Sequence, residues 1–66
     1  TMRNVPTPYH ICYEVSDIEK TVEILKGRRY TLTDKPKPAV AFNDRRVAFM
    51  LSRDAGLIEL LEEEKK

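Results

Sequence analysis

One imidazole, one thiol and one carboxylate fall at every second position of the stretch PYHICYEV: His10, Cys12 and Glu14. His10 is the only histidine in the chain and Cys12 the only cysteine. Tyr9, Ile11, Tyr13 and Val15 alternate with them. A period of two is that of a β-strand, whose alternate side chains share a face. One side of this strand therefore offers a nitrogen donor, a thiol and an acid, and the other offers an apolar surface. A further carboxylate, Glu59, sits within the otherwise apolar run LIELL. Burying a carboxylate without compensation costs several kcal/mol, so Glu59 calls for a metal cation, a basic partner such as Arg46, or exposure. From its pattern alone His10 reads either as a metal ligand or as a strand histidine satisfied by water. Cys12 reads as a small buried apolar residue ahead of a nucleophile, because a Cys and a His two apart lack the third, orienting group of a thiol catalyst. Glu14 stands at the strand's end, at a cavity rim or in solvent.

These residues belong to a chain of 66 residues, enough for one small domain. A domain of that size buries only about 60% of the surface that its unfolded chain exposes. Disulfides, metals or oligomers usually make up the deficit. A single cysteine closes no intrachain disulfide, which leaves metal or oligomerisation. The lone thiol suits a reducing, cytoplasmic setting. No apolar run approaches the ~20 residues of a membrane span, so no membrane partner is expected. Twelve basic residues nearly balance eleven acidic ones, for a formal net charge of +1. A nucleic-acid-binding domain normally carries a stronger basic excess, so no nucleic-acid partner is expected either. The clusters KGRR, DKPKP and DRR read as helix-end and loop charges.

After Val15 the apolar period changes from two to about 3.6. Ser16 and Glu19 have the spacing of a capping box, and Ile18, Val22 and Leu25 follow at helical spacing, widened by Ile24. Gly27 is a natural residue to end the helix. The pattern predicts a helix over 17–26. RRYTLT reads as a strand over 28–33, broken by the prolines of DKPKP. AVAF, over 39–42, reads as a short extended piece, and Asn43 and Asp44 as a tight turn. A third main strand is expected over 45–52, the turn RDAG after it, and a last strand over 57–62. Residues 1–7 form an extension and 63–66 a charged tail, which leaves a β-α-β-β-β unit over 8–62.

One helix covers only one face of such a sheet. Alternation places Ile11, Tyr13 and Val15, Val47, Phe49 and Leu51, and Ile58 and Leu60 beneath it. The other face then carries His10, Cys12, Glu14, Arg46, Ala48, Met50, Leu57, Glu59 and Leu61. That set is too apolar for water, and such a face marks an interface or a ligand cavity.

HICYEV at the opening, RRVAF in the third main strand and GLIEL near the end, in that order and spacing, resemble one βαβββ module of the vicinal oxygen chelate superfamily. That superfamily includes glyoxalase I, methylmalonyl-CoA epimerase, ring-cleaving dioxygenases and antibiotic-resistance proteins. The chain is most similar to the second module of methylmalonyl-CoA epimerase, from about Pro8 to Glu62. The resemblance implies an α+β fold: a mixed four-stranded sheet with one helix on one face, pairing with another module into a cupped barrel. It implies the first and last strands side by side, each giving one ligand for a divalent metal (Zn, Ni, Co, Fe or Mn), at the positions of His10 and Glu59 here. Two ligands per chain are too few for a tight site, so a homodimer is implied, which a twofold supplies simply. It implies a metal-dependent isomerase or lyase acting on a small 2-oxo, hemithioacetal or acyl-CoA substrate, with Glu59 as ligand or catalytic base. By the same resemblance Phe42 and Arg46 lie beside the pocket and hold substrate, although for either residue alone a hairpin with an aromatic anchor is the simpler reading. The alternative is a non-catalytic half-module, or a small-ligand-binding, drug-sequestering protein of the same superfamily.

Overall fold

The computed structural model describes residues 2–5 and 11–64. Its elements are β1 (Met2–Val5), β2 (Ile11–Val15), α1 (Ile18–Lys26), β3 (Tyr30–Ala39), a 3-10 turn (Val40–Phe42), β4 (Arg45–Ser52) and β5 (Gly56–Glu62). The strands form one mixed sheet in the order β1-β2-β5-β4-β3. The four strands and one helix of a βαβββ module are therefore present. The segment read as an N-terminal extension adds a fifth strand, β1, antiparallel to β2. The parallel β2–β5 pair sets the first strand of the module beside its last, with Ile11 opposite Ile58 and Cys12 opposite Glu59.

The helix begins one residue later than the capping-box spacing indicates. Asp17, not Ser16, is the N-cap, and its carboxylate accepts from the Lys20 amide at 3.0 Å. This releases Glu19 from a capping role. Gly27 closes the helix in the right-handed region, with φ −70°. The left-handed residue comes two positions on, at Arg29, with φ 70°. That conformation costs a residue with a side chain roughly 1 kcal/mol.

Beyond the helix, β3 runs through Pro36 and Pro38 instead of stopping at them. It is an edge strand, where a missing donor is tolerated, and its register with β4 shifts between Leu32 and Asp34 and again between Asp34 and Lys37. AVAF is not extended: Val40–Phe42 make a 3-10 turn. Asn43 and Asp44 then take consecutive left-handed conformations, with φ 55° and 64°, as their side chains favour. The 53–55 loop joins Ser52 to Gly56, which are paired across the hairpin. Ser52 Oγ accepts from the amides of Asp54 and Ala55, and Gly56 supplies φ 75° at the loop's end.

That loop fixes which face of β4 meets the helix. Met50 lies opposite Ile58 and Ala48 opposite Leu60. All four are buried with Val15, Ile18, Val22 and Leu25 in the core under α1. Ala48 and Met50, expected on the far face, are thus beneath the helix, and Val47, Phe49 and Leu51, expected beneath it, face away. Both sets on β4 are apolar, so alternation along that strand alone does not choose between them, and a one-residue slip reverses every side chain. Ile11 keeps its expected face but is 44% exposed.

Arg46 follows the reversal. It lies on the helix side, where it holds two carboxylates. Its Nε and Nη2 donate to the two oxygens of Glu62 at 3.1 and 2.6 Å, and its Nη1 and Nη2 donate to Glu19. The first turn of α1 is thereby tied to the ends of β4 and β5. The Glu62 side chain is 10% exposed and that of Glu19 63% exposed, so the two ion pairs differ in worth. Arg46→Ala strands the Glu62 carboxylate and is expected to destabilise the fold by about 2–3 kcal/mol. Glu19→Gln should cost less than about 1 kcal/mol, and Arg46→Lys should recover little, because an ammonium cannot make two forked contacts. Urea unfolding of the three variants checks the order.

Candidate functional site

The face turned away from α1 is built on the middle of β5. Glu59 has Cys12 of β2 as its neighbour on one side and Phe49 of β4 on the other. Directly opposed side chains on neighbouring strands stand about 4.5–5.5 Å apart at Cβ. Glu59 is 7% exposed, so this carboxylate is held out of bulk water. Cys12, Val47 and Leu61 form a small second core around it, with Ala39, Phe42 and Phe49 packed against them. The far face is therefore partly covered by its own chain, because the 3-10 turn after β3 lays Phe42 over it. Leu51 and Leu57, an opposed pair further along the same strands, remain 47% and 42% exposed.

At the other end of this face Glu14, opposite Leu61 in register, makes an ion pair with Arg45. Arg45 also donates from Nε to the Glu62 carbonyl at 2.9 Å. Alternation along β4 in the sequence suits the opposite phase and leaves this cation on the helix side. Counting back from Val47 and Phe49 in the correct phase puts Arg45, not Arg46, on the far face. Arg46 does not partner Glu59. Phe42 does reach the far face, as part of the cluster around Glu59. His10, the other candidate ligand, lies outside the described residues. Among the described residues there is no group of three or more His, Cys, Asp or Glu side chains that could hold a metal ion.

The Cys12 thiol is 1% exposed. Burial pushes it up to about 11, the negative charge of Glu59 adds to the rise, Arg45 opposes it, and Glu14 adds a smaller push. It stays protonated at neutral pH and is not a nucleophile there. Because the folded value lies above the ordinary 9.0, the folded chain binds the proton more tightly than the unfolded chain. This contribution to stability is complete below pH 9 and is lost as pH rises towards 11. The loss should reach up to about 2 kcal/mol. Cys12→Ala should flatten that part of the profile, and urea unfolding between pH 8 and pH 11 measures the difference.

No helix among the described residues is long and apolar enough to cross a membrane. Among curated proteins none matches the chain. Residues 2–49, nearly three-quarters of the chain, match the profile of the Glyoxalase/Bleomycin resistance protein/Dioxygenase superfamily. The matched stretch begins at β1, so the added edge strand lies inside the family's pattern, and it ends at Phe49, before β5. Profile and topology agree, and the chain belongs to the glyoxalase/bleomycin resistance/dioxygenase superfamily.

Proposed function

We propose that the chain is one half of a homodimeric, metal-dependent isomerase or lyase of the glyoxalase or methylmalonyl-CoA epimerase type. Its substrate would be a small 2-oxo, hemithioacetal or acyl-CoA compound. The observation that carries this reading is the burial of Glu59 on the sheet face opposite α1, in an apolar setting and beside β2. A carboxylate oxygen is a suitable donor for Zn, Ni, Co, Fe or Mn. Among the described residues, one chain falls short of a ligand set. A second copy doubles the donors: His10 and Glu59 from each chain give two imidazoles and two carboxylates.

A divalent ion bound there would stabilise negative charge on a substrate oxygen. The chain's own residues supply the rest. Glu59 takes the proton from the adjacent carbon, as a carboxylate within hydrogen-bond reach of that proton does. Phe42 and Phe49 shield the site from water and pack on the uncharged part of the substrate. Arg46, on the helix side, has no part in this reading. A second reading, a ligand-binding protein without catalysis, draws on the family, whose profile takes in bleomycin resistance proteins.

Light scattering should give about twice the 7.7 kDa of one chain, and Leu57→Asp, at a half-exposed position on the far face, should shift the mass to that of a monomer. Added Zn, Ni, Co or Mn should raise the melting temperature of the parent by mass action, and His10→Ala or Glu59→Ala should abolish that rise. Glu59→Gln should keep part of the metal response and lose at least about a hundredfold in turnover, the scale of a general base. A monomer with no metal-dependent shift would replace the enzyme by the ligand-binding reading.

A further inference from the structure

Two turns meet at the end of the sheet where the helix finishes. One carries Arg28 and Arg29, between α1 and β3, and the other carries Arg53, between β4 and β5. Together with Thr31 and Leu51 they line an open concavity of about 980 Å³. Asp54 is the one carboxylate in its wall, so three guanidinium groups face a single negative charge. Among the described residues none of the three arginines makes an ion pair. This separates them from Arg45 and Arg46, both engaged by glutamates. Arg29 moreover holds a left-handed backbone that a glycine would adopt more easily. Gly27, two residues earlier, has an ordinary right-handed φ and leaves that freedom unused. Strained backbone at a cleft is a feature of ligand-holding sites.

We propose that this cleft binds the phosphate or diphosphate group of a small molecule. Forked guanidinium groups match phosphate oxygens and hold them with charge-assisted hydrogen bonds. Leu51 tells where the rest of the molecule goes. It borders the cleft and lies two residues along β4 from Phe49, about 7 Å. An uncharged body attached to the phosphate would lie over Leu51, towards Phe49. The cleft is built from one chain's residues and stands whether or not Glu59 holds a metal.

The test is a titration of the ¹⁵N-labelled parent protein with inorganic pyrophosphate, with ionic strength held constant by sodium chloride. Saturable amide shifts should map to residues 28–31 and 51–56. Arg29→Gly is the decisive variant, because it removes a cation while relaxing the backbone. It should melt at or above the parent's temperature and bind pyrophosphate about tenfold more weakly, the scale of one charge-assisted hydrogen bond. Arg53→Gln should weaken binding similarly. Lys20→Gln, on the exposed face of α1, removes the same charge far from the cleft and should leave binding unchanged. Non-saturable shifts, shifts mapped elsewhere, or equal weakening by Lys20→Gln would overturn the proposal. So would a short single-stranded oligonucleotide that displaces pyrophosphate and binds more tightly per phosphate, which would make the surface a nucleic-acid contact.

Discussion

Burying β5 on both faces is the constraint on which the rest of this structure depends. From Ile58 to Glu62 every residue of that strand is buried, including two glutamates. Ile58 and Leu60 look towards α1, while Glu59 and Leu61 look away, and both directions must be filled. The chain solves the first with a single amphipathic helix. Ile18, Val22 and Leu25 sit over Ile58 and Leu60 because β4 presents Ala48 beside them. Its small side chain lets a helix settle close to the sheet, and Met50, flexible and unbranched, fills the remaining space. The large Phe49 is left for the other face, where it stands beside Glu59.

The two buried glutamates lie on opposite faces of the sheet and have different surroundings. Glu62 is held by the fork of Arg46, which reaches on to Glu19 in α1. Its charge is part of the joint between helix and sheet. Glu59 lies among Cys12, Phe49, Val47 and Leu61, in a largely apolar setting. The same strand therefore carries one buried carboxylate on each face of the sheet.

Much of this was legible in the sequence. The stripe of Ile18, Val22 and Leu25, the turns at Asn43–Asp44 and around Gly56, and the bounds of β4 and β5 all follow from local chemistry. Glu59 stood out because a carboxylate in an apolar strand has few resting places. The misreadings share a cause, which is that tertiary pairing outranks local signals. Ser16 and Glu19 match a capping box, yet Asp17 caps the helix and Glu19 turns to Arg46. Pro36 and Pro38 look like the end of a strand, yet an edge position tolerates them. The apolar residues of β4 alternate on both faces, so the phase was set by the 53–55 hairpin and not by hydropathy. That one error moved Arg46 to the far face on paper and hid Arg45. β1 carried no periodic signal strong enough to separate it from an extension.

The corrected phase also changes what the far face requires. Read from sequence, it was a bare apolar sheet. In the structure Ala39 and Phe42 fold over Cys12, Val47 and Leu61, so the uncovered apolar surface contracts towards Leu51 and Leu57 at the hairpin end. A surface of that shape is poorly suited to non-specific association, because its centre is already dry and its rim carries arginines from the two neighbouring turns. Whatever lies on it must offer apolar contact to the leucine pair and tolerate guanidinium groups at one end. The leucine pair lies between Glu59 and the arginine rim, so apolar contact and positive charge adjoin on one surface, and a single occupant with an apolar body and an anionic end satisfies both conditions.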